Sequence, residues 1–155
     1  MKKFIICLLS LLMLAGCGQK KTVKKTKKVD PIELSELYDV RYVQDKIVYV
    51  NKSQYADKKS AYDKDVVYML KKSSIIFETD LTYNNVSYKS AKITNQDKKI
   101  IPDISKKYIV ETKNSPLGMT IMLSKTKFYI ANNTLDQKDY TYVAMLKKAK
   151  TVTTK

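Results

Sequence analysis

Histidine is absent from this sequence, and so is tryptophan; there are three glycines, three prolines, two cysteines and one arginine, Arg41. Each shortage excludes a class of chemistry. Without imidazole, no side chain has an unperturbed pKa near neutrality, so the usual general acid–base groups and the Ser-His and Cys-His nucleophile pairs are missing. Most transition-metal sites built on thiolate or imidazole go with them. Two of the three glycines, Gly16 and Gly18, flank Cys17, which leaves too few for a phosphate-cradling loop. Carboxylate pairs remain, Asp63 with Asp65 and Asp136 with Asp139. Their polar, turn-like surroundings read as solvated surface, and neither matches a calcium loop. Ser124-Lys125-Thr126-Lys127 fits the S-x-x-K pattern, but lysine makes up roughly a fifth of the chain and such matches arise by chance. The expected catalytic, metal and cofactor sets are therefore empty, and the chain reads as a non-enzyme.

What is present begins at the N-terminus. Met1-Lys2-Lys3 is a short positive segment, and Phe4 to Ala15 is apolar apart from Ser10. A membrane-crossing helix needs about 20 apolar residues, and this run has roughly a dozen. Its length and flanks instead fit a secretory signal, with the small residues Ala15 and Gly16 where a peptidase must seat the extended chain. Leu14-Ala15-Gly16-Cys17 resembles the lipobox of bacterial prolipoproteins. That resemblance implies cleavage between Gly16 and Cys17, a diacylglycerol on the Cys17 sulfur, and a protein held by membrane lipid on the extracytoplasmic face of the cell membrane. Cys7 would leave with the signal, so the mature chain would have neither a free thiol nor a disulfide.

Residues 17–28 then read as a lipidated cysteine and a basic tether. Lys20, Lys21, Lys24, Lys25, Lys27 and Lys28 sit among almost no apolar residues, so this segment cannot bury enough surface to offset its ordering entropy. Near an anionic leaflet each such charge contributes about 1 kcal/mol of attraction. Lys2, Lys3 and these six account for eight of the 30 basic residues. From Val29 onward 22 basic residues face 15 acidic ones, a formal charge of +7 instead of the +15 of the whole chain. A modest positive excess outside a membrane suits lipid headgroups and anionic wall polymers better than nucleic acid.

Residues 29–147 are expected to form one β-rich domain, with 148–155 as a frayed tail. Asp30-Pro31-Ile32-Glu33 reads as a helix start, with Asp30 as cap and one or two turns following. Short runs rich in β-branched and aromatic residues then predict strands at 47–50, 66–70, 74–78, 107–112, 119–123, 128–130 and 141–146. In Leu81 to Ile93, Asn84-Asn85 predicts a tight hairpin turn flanked by Tyr83 and Val86. Asn114-Ser115-Pro116-Leu117-Gly118 predicts the turn of another. Gln54 to Lys64 reads as a loop or a short helix. Seven or eight short strands with a short N-terminal helix predict an all-β barrel or sandwich, with α+β as the alternative. Two stretches, Leu70 to Ile76 with Tyr83 to Lys89, and Lys127 to Ile130 with Tyr142 to Ala144, resemble the SH3-like repeats of lactobacillus surface-layer and cell-wall-attachment proteins. That resemblance implies non-covalent binding of wall polymer.

Twelve tyrosines are the last unusual feature. An apolar ring with a hydroxyl suits a half-buried sheet, and it also suits contact with sugars or proteins. Alternation nominates Tyr83, Tyr88, Tyr129 and Tyr142 as a candidate exposed binding face. The expected function is a lipid-anchored binding module for an anionic cell-wall polymer or a surface protein. The alternative is a ligand-capturing or immunity-type lipoprotein taking a small molecule, peptide or toxin. Replacing Cys17 by alanine should leave the protein unprocessed or free of the membrane with its domain still folded. Intact mass of membrane-extracted parent protein is the check, and an unmodified chain starting at Met1 would overturn the anchor.

Overall fold

The computed structural model describes residues 30–77, 81–113, 115–134 and 136–150. Gly16, Cys17 and the tether lysines Lys20, Lys21, Lys24, Lys25, Lys27 and Lys28 lie outside the described residues. Among the described residues a 3-10 turn, Leu34–Leu37, leads into nine strands and one short helix. The strands are β1 Arg41–Val50, β2 Val67–Leu70, β3 Ser74–Phe77, β4 Leu81–Asn84 and β5 Ser87–Ser90, then β6 Ile104–Thr112, β7 Ser115–Ser124, β8 Phe128–Asn133 and β9 Tyr140–Lys148. The helix, α1, is Asn95–Ile100 and joins β5 to β6. The chain is all-β in class, as its alternating runs predict, and the strands form one antiparallel sheet curled into a half-barrel.

The N-terminal turn has the expected length but starts later than the sequence suggests. Glu33, not Asp30, is its cap residue. The Glu33 N–H donates to Glu36 Oε1 at 2.8 Å, and the Glu36 N–H to the Glu33 carbonyl at 3.1 Å. Tyr38 returns to extended backbone and Asp39 takes a φ of 60°, which stops the helix before a second turn can form. At the other terminus, β9 includes Lys147 and Lys148, and the Ala149 N–H donates to the Arg41 carbonyl at 2.9 Å. Pairing with β1 thus orders part of what composition marks as tail.

Sheet order is β4-β3-β2-β1-β9-β8-β7-β6-β5, and every neighbouring pair is antiparallel. With nine strands alternating in direction, the two end strands β4 and β5 must run the same way. They are also consecutive in the chain, separated only by Asn85 and Val86. Residues 81–90 are therefore one strand bent in the middle, pairing with β3 over its first half and with β6 over its second. The predicted hairpin at Asn84-Asn85 is corrected here. Asn85 does take a positive φ, 55°, but the bend moves the strand from one neighbour to another and does not reverse it.

Three contacts hold that bend. Val86 is buried in the core, and its N–H donates to the Ser73 carbonyl at 2.9 Å. The Tyr88 hydroxyl lies 2.8 Å from the Lys71 carbonyl and 3.2 Å from that of Ser74, so a β5 side chain meets the β2–β3 turn across the seam. Its ring lies 5.9 Å from that of Tyr38. The β6–β7 hairpin also differs from expectation. Thr112 pairs with Ser115, so the chain reverses between them, and Pro116 already belongs to β7. Gly118, at a φ of 71°, supplies the bulge that lets Val110 face Met119 while Glu111 faces Pro116.

Strands β7, β8 and β9 are buried on both faces. Ile121, Leu123, Phe128, Ile130, Ala144 and Leu146 face the main core inside the curl. Their alternates Met122, Tyr129, Ala131 and Val143 face a second core with Ile100 and Ile101, at the end of α1, packed against it. A bulge between Asn132 and Asn133 places Tyr140 in that outer core while Tyr142 stays in the inner one. The helix is fastened by charge. Asp97 is fully buried and accepts from Lys107 Nζ at 2.8 Å, from the Thr94 N–H at 2.7 Å and from the Tyr140 hydroxyl. The Asp97 N–H returns a bond to Thr94 Oγ1 at 3.2 Å, completing a capping box. Burial pushes the Asp97 carboxyl up, but the bonds from Lys107, Thr94 and Tyr140 together hold it below its ordinary range.

Two outcomes follow from these contacts. Tyr88→Phe keeps the ring and takes the donor from the Lys71 carbonyl, while the Ser74 carbonyl keeps the Lys71 N–H, so it should cost about 1 kcal/mol, read as a melting temperature lower by roughly 4 °C. An unchanged midpoint would mean that the hydroxyl does not hold the seam. Asp97→Asn should cost about 3 kcal/mol near neutrality, because Lys107 would be left buried without its counter-charge. Since the folded carboxyl titrates below its unfolded value, its contribution is full well above that value and fades as pH falls through the folded pKa. Urea midpoints of parent and variant should therefore converge in acid, and a constant gap would overturn the assignment.

Candidate functional site

A hollow of about 480 Å³, lined by both apolar and polar side chains, opens at one end of the half-barrel. Its wall on one side comes from the β2–β3–β4 meander, where Tyr68 pairs with Phe77 and Phe77 with Leu81. The rings of Tyr68 and Phe77 meet edge to face at 5.3 Å, and those of Phe77 and Tyr83 at 5.8 Å. Tyr68 is buried beneath this contact, so Phe77 and Tyr83, both half-buried, are the rings that present surface to the hollow. The opposite wall comes from Leu117, Gly118 and Met119 on β7, where the bulge sets Leu117 outside the regular ladder. Asn132 and Asn133 on β8 and Thr141 and Tyr142 on β9 complete the lining. Leu81 stands at the rim with 47% of its surface exposed, unusual for a large apolar residue in this chain.

A second hollow of about 340 Å³ shares Val66, Asn132 and Tyr142 with the first and extends it under the loop 51–66. In that loop Ala61 is buried, Tyr62 is exposed, and the Tyr55 ring meets that of Tyr142 edge to face at 5.9 Å. The segment read as loop or short helix is thus a succession of turns roofing one side of the cleft. The Asp63 N–H donates to the buried Gln44 Oε1 at 3.0 Å and ties the loop to β1. Asn132 Nδ2 donates to the Tyr142 hydroxyl at 2.9 Å, leaving Asn132 Oδ1 as an acceptor beside the rings. Burial, with Tyr68 alongside, pushes the Tyr142 hydroxyl far above its ordinary range, so it stays a neutral hydroxyl. No lysine or arginine lines either hollow, and the one carboxylate is that of Asp63. Volumes of this order suit a small ligand or one or two units of a chain molecule.

The four nominated tyrosines do not make an exposed face. Tyr129 and Tyr142 are buried, on opposite sides of the sheet, and Tyr88 is half-buried at the seam. Only Tyr83 and Tyr142 meet in one place, the cleft. The alternation rule assumes one dry and one wet face, and here β8 and β9 have two dry ones. Phe77, Leu81, Leu117 and Asn132 were missed as site residues. For Leu81 there was a signal: a large apolar residue at the start of a four-residue strand with polar neighbours. For the others there was none, because they converge only through the curl.

The remaining candidates fall into turns. Asp63 Oδ1 accepts from the Asp65 N–H at 2.9 Å, and Asp136 accepts from Thr134 and from the Lys138 N–H. Asp139 accepts from its neighbour's N–H, from Gln96 and from Asn51. No group of three or more potential metal ligands occurs among the described residues. Ser124 is fully buried in the hairpin that joins β7 to β8, its N–H donating to the Lys127 carbonyl at 3.0 Å, with the Lys127 side chain exposed. The segments resembling SH3-like repeats lie in one continuous sheet, the first at the seam and the second in the β8–β9 pair. Comparison of the chain with protein-family models, curated proteins and solved structures found no match.

Proposed function

We propose that this protein is a lipid-anchored, non-catalytic binding module on the extracytoplasmic face of the membrane, and that the aromatic cleft captures an uncharged ligand. The anchor rests on the lipobox resemblance at Leu14 to Cys17. The capture rests on one observation: a concave cleft walled by Tyr68, Phe77, Tyr83 and Tyr142 with no cationic side chain in its lining. An apolar ring face of a sugar, or an apolar side chain, would lie against Phe77, Tyr83 and Leu81. A hydroxyl or amide on the same ligand would donate to Asn132 Oδ1. The ligand-capturing alternative thus gains over the anionic wall polymer, whose phosphates or carboxylates would meet no cation in the lining of the cleft. A polymer or protein partner would have to use the lysine-bearing surface elsewhere.

Titration with oligomers of N-acetylglucosamine and with a short uncharged apolar peptide tests the cleft. One of the two probes should bind with an affinity little changed between about 0.05 and about 0.5 M salt, because no ion pair is formed. Leu81→Asp, at an exposed rim position, should weaken that binding at least about tenfold, since a carboxylate would be desolvated against the rings. Binding that collapses with salt, or that ignores Leu81→Asp, would send the function back to the basic surface.

A further inference from the structure

A separate hollow lies at the other end of the strands. Its volume is about 360 Å³; Ile32, Leu37, Tyr42 and Phe128 give it apolar walls, and its lining carries three lysines, Lys127, Lys147 and Lys148, against one carboxylate, Glu36. It is framed by the start of β1, the end of β9 and the β7–β8 turn, whereas the aromatic cleft lies at the start of β9 and the end of β8. From Tyr142 to Lys148 along β9 the two are about 20 Å apart. Lys147 is paired with Asp45 at 2.8 Å, but Lys127 and Lys148 are exposed and make no salt bridge among the described residues. Lys125, also exposed, belongs to the same β7–β8 turn as Lys127.

This is also the end at which the N-terminal chain arrives, since Ile32 itself lines the hollow. From Cys17 to Asp30 is 13 residues, a reach of at most about 45 Å even when fully extended. A surface confined that close to lipid meets it at high effective concentration, so a weak contact suffices. We propose that this hollow and its lysine rim are a docking surface for an anionic lipid bilayer: Lys127 and Lys148 meet the headgroups, and the apolar walls take up the acyl-chain boundary. Docked in this way, the domain directs its aromatic cleft away from the membrane. The inference builds on the lipid-anchor reading but uses different residues.

The test uses the mature chain with Cys17→Ala, so that no acyl chain contributes, and with the six tether lysines changed to glutamine, so that the tether is silent. Cosedimentation compares vesicles of phosphatidylcholine with vesicles that also contain phosphatidylglycerol. Weak binding to the anionic vesicles alone is expected, suppressed by salt, and lowered about 25-fold in K127Q/K148Q at roughly fivefold per lysine. The melting temperature of K127Q/K148Q should match that of its parent, which separates lost contact from lost fold. Equal or absent binding to the two vesicle types, or binding indifferent to K127Q/K148Q, would overturn the inference. So would binding of soluble polyphosphate in the absence of vesicle binding, since the surface would then belong to a polymer. If the native protein still carries lipid on Cys17 by intact mass, any of those failures removes the docking surface and leaves the anchor standing.

Discussion

The fold depends on how a nine-stranded antiparallel sheet manages its two ends. An exposed strand edge offers unpaired N–H and carbonyl groups to any other chain. Here one strand serves both ends: residues 81–84 pair with β3, residues 87–90 pair with β6, and the bend at Asn85 and Val86 carries the chain between them. The bend needs a residue that tolerates positive φ and one that fills the core, and Asn85 and Val86 supply these in turn. Tyr88 then reaches the β2–β3 turn, so the ends of the sheet are held by side chain as well as by covalent connection.

That way of meeting its ends makes the half-barrel uneven. On the β7–β9 side the sheet is covered outside by α1 and the residues after it, with Asp97 bound to Lys107 of β6 and Tyr140 of β9. This wall is packed on both faces. On the β2–β4 side the strands are four residues long, and their rings pack edge to face. The cleft forms where the short meander faces the long wall across the mouth of the curl. Its lack of cations follows from the burial that shapes it: a lysine among these rings would lose its hydration without gaining a partner.

The same curl gives the molecule two chemically different ends. One holds a cleft whose lining is aromatic and carries no lysine or arginine, although exposed Lys58, Lys59 and Lys64 lie in the loop beside it; the other is rimmed by Lys127 and Lys148 and receives the chain from the N-terminal side. Strand direction enforces the separation, because β1 starts and β9 finishes at the basic end.

Some of this was written in the sequence. The all-β class followed from β-branched and aromatic alternation, and the lipobox resemblance is a local pattern that needs no fold to be read. The positive φ at Asn85 and the irregularity around Gly118 were legible as backbone requirements, because asparagine and glycine carry them wherever the chain goes. The capping box of α1, Thr94 with Asp97, was equally local and went unread among its strand-like neighbours. What the tertiary structure decided is which partner each strand meets. A turn signal says that the chain can bend, but reversal and a change of neighbour use the same residue. Likewise, alternation assigns residues to two faces of a strand without saying whether either is wet. Tyr129 and Tyr142 look alike in sequence, and only the packing of α1 outside and the curl inside buries both. The cleft unites residues from Val66 to Tyr142, and no local pattern spans that distance, because its cause is the curvature of the whole sheet.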